Sequence, residues 1–197
     1  MRSAFWLVIT SSCLYGQDAQ PQQPPVSVAE RWHFFVRETL NPMTVAGGAF
    51  NASVSQASNS DPRYGVGGGP YAERFGASVT DIASQNFCVD FLMATAWHED
   101  TRYVPKGPGH SVWSRTGWAI SRAFVTRTDD GQPTVNWANL TGTALAGGIS
   151  CIYYPPVSRT GSGVALRYGI GIGRGALINL LPEFGPEVWR WIKRHHI

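Results

Sequence analysis

The densest group of reactive side chains in the 197-residue sequence reads His98-Glu99-Asp100-Thr101-Arg102-Tyr103. An imidazole beside two carboxylates could bind a metal ion or transfer protons if the side chains converged on one point. Three consecutive helical residues instead point in three directions around the axis, so a metal site would need ligands from elsewhere, such as Asp90 or His110. The spacing favours a helix end with a salt-bridge knot to Arg102, and it predicts neither a metal site nor a cofactor.

Four basic residues form a second group, which could hold an anion such as phosphate or a lipid headgroup. Arg115 and Arg122 are seven residues apart, two helical turns on one face, and Arg102 and Lys106 precede them. We favour the alternative that the arginines pair with acids of the preceding helix, namely Asp81, Asp90, Glu99 and Asp100. Only 15% of the residues are charged, and ion pairs between helices would fix their register.

The segments Gly107-Pro108-Gly109-His110 and Ser121-Arg122 resemble the Pro-Ser-Gly-His and Ser-Arg elements of the acid-phosphatase and lipid-phosphatase superfamily. The resemblance implies phosphate-ester hydrolysis, in which a histidine attacks phosphorus while lysine and arginine hold the oxygens. His110 is the candidate catalytic residue of the first segment, but no histidine follows Ser121-Arg122 at the distance that the family requires. The sequence departs from the pattern, because Pro108 replaces the serine and no Lys-x6-Arg-Pro element lies upstream.

The elements that must position these residues are helical in pattern. Helices are predicted over 28–40, 42–57, 71–101, 111–127, 136–154 and 163–181, with a short piece over 187–194. The stretch 128–133 (TDDGQP) is predicted as a turn. Ser27 and Glu30 form a capping box at the first start, and Asn41-Pro42 is a cap followed by an N1 proline at the second. No alternating strand pattern of useful length occurs. The predicted fold class is therefore all-α, a compact bundle of about six helices.

Small residues recur every fourth position on several of these helices. The stripes are Gly142/Ala146/Ser150, Ala49/Ser53/Ala57, Gly76/Thr80/Ser84/Cys88, Gly169/Gly173 and Gly171/Gly175. Residues four apart share a helix face, and small side chains let helix axes approach closely. Glycine costs about 1 kcal/mol per helical position relative to alanine, so the stripes predict close packing that offsets this cost.

The first residues have the parts of a secretory signal peptide: one positive charge, the apolar run 4–9 and a small residue at Gly16. We expect cleavage near Gly16, a polar Pro/Gln-rich linker over 17–26 and one helical domain over 27–197. A lipoprotein attached through Cys13 is the weaker alternative. In an oxidising compartment, Cys88 and Cys151 either form a disulfide or remain two thiols, and the sequence leaves both open.

A membrane span is also considered, because residues 131–158 carry no charge and are long enough to cross a bilayer. Asn136, Asn139, Thr141 and Thr143 lower the hydropathy of this stretch, and the mean hydropathy of the chain is −0.13. We favour a water-soluble or membrane-apposed bundle. A net charge of +3 is too small for a dedicated nucleic-acid binder.

The order of four motifs resembles a family of exported bacterial proteins of unknown function. The motifs are the stretch 71–76 (YAERFG), the stretch 98–103 (HEDTRY), the 115–127 segment closing in TRTD, and the stretch 149–155 (ISCIYYP). The resemblance spans about residues 40–190 and implies an exported domain, with no catalytic residue attached.

Three functions follow as hypotheses. The leading one is a non-enzymatic structural or interaction component of the cell envelope, in the periplasm or outer envelope, whose partner is a membrane surface or another envelope protein and not a nucleic acid. The second is a metal-dependent or phosphate-ester hydrolase that uses His98, Glu99 and Asp100 with Arg115 and Arg122. The third is a membrane- or lipid-binding helical module.

Overall fold

The computed structural model describes residues 26–195. The predicted signal peptide, Cys13 and the linker up to residue 25 lie outside the described residues. The chain is mostly helical, which confirms the predicted all-α bundle. Its helices are α1 (Val28–Thr39), α2 (Pro42–Ala57), α3 (Gly68–Asn86), α4 (Ala94–Trp97), α5 (Val112–Ser121), α6 (Trp137–Ile149), α7 (Gly161–Ile178) and α8 (Leu180–His195). A π-helical segment (Phe87–Met93) joins α3 to α4, and two short 3-10 turns (Ser150–Ile152 and Pro156–Ser158) separate α6 from α7.

The first two helices begin where the sequence predicts. The Ser27 side chain accepts the N–H of Glu30 at 3.2 Å, and the Glu30 carboxylate accepts the N–H of Ser27 at 2.7 Å, so the capping box is confirmed. Asn41 caps α2 by accepting the N–H of Met43 at 2.9 Å. In both cases the side chain satisfies a backbone donor that the first turn leaves unpaired.

The long predicted helix over 71–101 is present but not uniform. It passes into the π-helical segment at Phe87, where the ring of Phe91 contacts Trp32 of α1 and the ring of Phe87 contacts Phe35, both in edge-to-face geometry. The helix ends at His98, whose backbone is left-handed (φ 54°). A left-handed residue is a common way for a helix to end, and it turns the chain into an extended segment.

A three-stranded antiparallel sheet follows, which the sequence pattern does not predict. Its strands are β1 (Glu99–Asp100), β2 (Val125–Thr128) and β3 (Pro133–Val135) in the order β1-β2-β3. Helix α5 therefore stops at Ser121, and the prediction of helix to residue 127 is wrong at its end. Strands of two to four residues are too short for an alternating pattern to be recognised. The Asp-Gly turn at Gly131 (φ 80°) that joins β2 to β3 was predicted as a turn.

Close packing through small residues is present, although not on every predicted stripe. Gly142, Ala146 and Ser150 are all buried, and a Cβ on Gly142 would lie 2.8 Å from the Val89 backbone. On α2 the predicted stripe Ala49/Ser53/Ala57 is wrong, because the buried residues are Thr44, Gly48, Ala52 and Ser55. In the stripes Gly169/Gly173 and Gly171/Gly175, only Gly171 is close-packed, since Cβ atoms on Gly169, Gly173 and Gly175 would meet open space.

Substitution of Gly142 tests this packing. Gly142→Ala is expected to lower the free energy of unfolding by about 1–3 kcal/mol, because backbone atoms of Cys88 and Val89 cannot move aside as a side chain would. Gly148 of the same helix is the matched control, since a Cβ there meets nothing within 4 Å. Gly148→Ala is expected to be neutral or stabilising by up to about 1 kcal/mol. Urea denaturation measures both, and equal effects would contradict the close approach.

The interior is built from small side chains, and large apolar side chains face outward. Most of the buried apolar residues are alanines. The large apolar side chains that are exposed include Met43, Phe50, Trp113, Ile152, Leu166, Ile170, Leu177, Leu181, Trp189 and Trp191. None of the helices between residues 26 and 195 combines the length and the apolar character that a membrane crossing requires.

Candidate functional site

The structure separates the three side chains of the His98-Glu99-Asp100 group. The His98 imidazole is 83% exposed, and its Nδ1 lies 3.8 Å from a carboxylate oxygen of Asp129. Glu99 is buried and accepts the N–H groups of Trp137 at 3.2 Å and Ala138 at 2.8 Å, at the start of α6. Burial raises the pKa of Glu99, and these two N–H groups counteract part of the rise. The Glu99 side chain therefore connects strand β1 to the N-terminus of α6.

Asp100 is the member of the group that pairs with Arg102, as the sequence predicts. Its carboxylate accepts Nε of Arg102 at 2.8 Å and Nη2 at 2.9 Å, and it also accepts the backbone N–H of Arg102 at 3.0 Å. Arg127 of β2 approaches the same carboxylate at 3.7 Å. The side-chain hydrogen bond with the Asp100 carboxylate raises the pKa of the Arg102 guanidinium. Asp100 and Arg102 together form the predicted salt-bridge knot.

Arg31 of α1 also contacts this region, although it was not among the residues predicted to form the site. Its buried guanidinium donates to the backbone oxygen of Glu99 and to the carboxylate of Asp129. Arg31 thus fastens α1 to the turn of the β2–β3 hairpin. Arg31 and Asp129 are 98 positions apart, and nothing in the local sequence pairs them.

The geometry gives no support for a metal centre here. Within the described part of the chain, no group of three or more His, Cys, Asp or Glu side chains is placed to hold a metal ion. Asp90 accepts a hydrogen bond from the Thr101 hydroxyl at 2.9 Å, and the cavity beside it measures about 10 Å³. That volume is about one water molecule, which leaves no room for a substrate.

Asp90 supplies a test of pH dependence. Burial of the carboxyl raises the pKa of Asp90 from 3.8 to about 7. An acid whose folded pKa is raised binds more protons when folded, so its ionisation destabilises the protein progressively from about pH 4 to pH 7. Asp90→Asn is expected to be more stable than wild type by at least about 1.4 kcal/mol at pH 8, the equivalent of one pKa unit, and to lose that advantage at pH 4. Urea denaturation between pH 4 and pH 8 measures the difference in stability between Asp90→Asn and wild type, and Asp130→Asn at an exposed position is the control. A difference that does not change with pH would contradict the raised pKa of Asp90.

The prediction that Arg115 pairs with acids of the preceding helix is wrong. Arg115 is buried, and its Nε donates to Glu183 of α8 at 2.7 Å while its Nη1 lies 2.8 Å from Glu187. Its guanidinium also stacks 4.4 Å from the ring of Phe184. The acids that pair with Arg115 belong to α8, and not to the helix that precedes Arg115 in the sequence. This pair is the anchor of α8.

Glu183 accepts most of the hydrogen bonds that attach α8 to the rest of the protein. Its two oxygens accept hydrogen bonds from the Tyr103 hydroxyl (2.5 Å), the N–H of Lys106 (2.8 Å), the N–H of Gly107 (3.0 Å) and Arg115. Burial pushes the pKa of Glu183 upward, but these hydrogen bonds outweigh burial and leave the pKa below its usual value. The carboxylate is therefore ionised and fully used by the fold.

The remaining predicted anion-site residues do not converge on a pocket. Lys106 donates through Nζ to Ser114 at 3.0 Å and lies 5.8 Å from the Trp118 ring, while Arg122 stacks on the same ring at 3.8 Å. Burial, with a smaller contribution from Arg127, lowers the pKa of Arg122. His110 is exposed in the loop before α5. The four basic residues are thus engaged with Asp100, Ser114, Glu183 and Trp118.

The Tyr-Tyr-Pro motif contributes to a second polar cluster. Asp81 of α3 accepts the hydroxyls of Tyr153 and Tyr154, each at 2.6 Å, and Arg167 lies 4.5 Å from the Tyr154 ring. Burial raises the pKa of Asp81, and burial together with the Asp81 carboxylate raises the pKa of both tyrosines. Both tyrosines therefore remain protonated donors, which is a structural role.

Cys88 and Cys151 are free thiols in the structure. Cys88 is buried on the π-helical segment against Gly142 of α6. Cys151 is half-buried, and Arg167 Nη2 lies 3.5 Å from its sulfur.

The feature best suited to binding is an apolar surface on α7 and α8. An open groove of about 480 Å³ is lined by Ile170, Gly173, Arg174, Leu177, Ile178 and Leu181. These positions follow the spacing i, i+3, i+4, i+7, i+8, i+11, which is one continuous face. All of the large apolar side chains in it are exposed, and Arg174 is the charged group of the groove. We call this surface the α7–α8 face.

Comparison of the chain with protein-family models, with curated proteins and with solved structures finds no match. The function is therefore inferred from the arrangement of the chain's own residues.

Proposed function

We propose that the protein is an exported component of the cell envelope that acts by binding and not by catalysis. The observation that carries this proposal is the outward position of large apolar side chains on helices whose inward faces are small or polar. An exposed apolar patch with polar surroundings is typical of an interaction site. Export rests on the pattern of residues 1–16 and on the resemblance to exported bacterial proteins.

The engagement of the reactive groups supports the same function. Glu99, Asp100, Arg115 and Glu183 are each held by several hydrogen bonds within the fold. A catalytic group needs an open site in which it meets a substrate, and only His98 and His110 of the candidate residues are exposed. A metal-dependent or phosphate-ester hydrolase is therefore the less supported function.

Fractionation of cells that express the full chain tests the proposal. The protein is expected in the exported, envelope-associated fraction. The double variant Ile170→Ser/Leu177→Ser is expected to be released into the soluble fraction, because it makes the α7–α8 face polar. A matched control is Val66→Ser/Ile152→Ser, two exposed positions away from that face, which is expected to fractionate as wild type. Recovery of wild-type protein in the cytoplasm, or of both variants in the same fraction as wild type, would contradict the proposal.

A further inference from the structure

Helix α8 is an amphipathic helix with its polar side against the body of the protein. Leu181, Val188 and Ile192 are spaced i, i+7 and i+11, so they form one apolar stripe. All three are exposed, whereas Glu183 and Glu187 on the opposite side reach Arg115. A surface helix of a globular protein normally buries its apolar stripe. The reversed orientation leaves the apolar stripe exposed to solvent unless a binding partner covers it.

Two tryptophans flank the stripe, and three basic residues lie on the polar side of the same helix. Trp189 and Trp191 are 59% and 57% exposed and lie on either side of it. Arg190, Lys193 and Arg194 occupy the same last two turns, and no described carboxylate forms an ion pair with them. The nearest acids along the helix, Glu183 and Glu187, are already paired with Arg115. The end of α8 is thus both apolar and positively charged.

The stripe is continuous with the groove of α7. Leu181 belongs to both, and Leu177 and Ile178 extend the apolar surface along α7 to Ile170. Arg174 also lines this groove, and its guanidinium is directed inward, where it donates to the Gln85 side chain. Together, the α7–α8 face and the last two turns of α8 therefore combine aliphatic side chains, tryptophan rings and cations. This is the composition of helices that lie in a membrane interface and are attracted to anionic lipid.

We infer that the α7–α8 face binds the surface of a membrane containing anionic lipid, with α8 lying in the plane of the interface. Leu181, Val188 and Ile192 enter the boundary between headgroups and acyl chains. The indole rings lie at headgroup level, and Arg190, Lys193 and Arg194 meet lipid phosphates. The Arg115–Glu183 pair keeps the helix attached to the bundle in this orientation. This inference rests on the proposed function and names the partner.

Cosedimentation of the full chain with vesicles tests it. Wild-type protein is expected to bind mixed phosphatidylcholine and phosphatidylglycerol vesicles about tenfold or more tightly than phosphatidylcholine vesicles, with the difference reduced by salt. The triple variant Arg190→Gln/Lys193→Gln/Arg194→Gln is expected to lose that preference. Trp189→Ser/Ile192→Ser is expected to lose binding to both vesicles. All of these positions are exposed, and an unchanged circular dichroism melting curve verifies that the variants fold.

Two control variants and three contrary results complete the test of membrane binding. Trp113→Ser removes an 85% exposed tryptophan from α5, and Arg37→Gln/Arg63→Gln removes exposed charge elsewhere; both are expected to bind as wild type. Equal binding to neutral and anionic vesicles, or wild-type binding by the α8 variants, would overturn the inference. A dimer in size-exclusion chromatography that the Trp189→Ser/Ile192→Ser variant converts to monomer, without vesicle binding, would assign the face to a second copy of the chain. In either case, envelope fractionation that still depends on Ile170 and Leu177 would leave the proposed function standing.

Discussion

Replacement of Glu183 by alanine is expected to lower the free energy of unfolding by about 3–5 kcal/mol. The side chain is 2% exposed, and the variant removes the acceptor for Tyr103, Arg115 and two backbone N–H groups. Removing one partner of a buried ion pair leaves the other charge uncompensated, and each N–H left without an acceptor adds a penalty. Urea denaturation measures the loss, and hydrogen exchange is expected to show reduced protection in α8.

Glu187→Ala is the matched control for this experiment. Glu187 also pairs with Arg115, at 2.8 Å, but its side chain is 36% exposed. Ion pairs near the surface contribute about 0–1 kcal/mol, so the control is expected to stay within that range. Because the folded pKa of Glu183 lies below its usual value of 4.5, its stabilisation is present above about pH 4.5 and disappears as the pH falls through the folded pKa. Equal effects of the two substitutions at pH 7 would contradict the role of Glu183 as the anchor of α8.

Arg74→Met is expected to cost at least about 2 kcal/mol of unfolding free energy. Arg74 of α3 is completely buried, and its guanidinium donates to backbone oxygens of the loop before α3, at Ser60 (2.7 Å), Pro62 and Gly65 (3.2 Å). Methionine fills similar space but leaves these carbonyl groups without a donor. Each buried polar group that loses its partner costs about 1–3 kcal/mol.

Proteolysis of the loop before α3 gives a second measurement of the Arg74→Met effect. Limited proteolysis is expected to cleave Arg74→Met between residues 58 and 67 faster than wild type, since Arg74 also holds Asn59 and Ser55. Arg37→Met is the control, because the Arg37 side chain is 73% exposed and belongs to α1. Ordinary surface substitutions change the free energy of unfolding by about 0.5 kcal/mol or less. A change this small for Arg74→Met would contradict the prediction and would show that water replaces the guanidinium.

Local features of the fold were predictable from the sequence, because short-range chemistry determines them. Ser27 with Glu30, and Asn41 before Pro42, satisfy backbone donors within one turn. The Asp-Gly turn at Gly131 needs only a residue that accepts a positive φ. The sheet was missed for the opposite reason. Its strands exist because Glu99 and Asp100 find Thr128 and Arg127 across a long separation in sequence.

The candidate site was predictable in part. The Asp100–Arg102 pair forms between residues two positions apart, so the motif itself contains it. The partners of Arg115, Arg31 and Glu99 lie 68, 98 and 39 positions away, respectively. No local pattern marks Glu183, which stands in an otherwise ordinary segment between two prolines. Which acid meets which arginine depends on how the helices dock.

The sequence by itself determined the helical character, the helix starts and the presence of small-residue faces, since propensity, capping and spacing act over a few residues. It also placed apolar and basic residues together in the last two turns. Only the tertiary structure decided which face of α8 points outward. That choice follows from the burial of Glu183 against Arg115, Tyr103 and the 106–107 backbone. Because this carboxylate is satisfied inside the protein, the apolar stripe of α8 must lie on the outside.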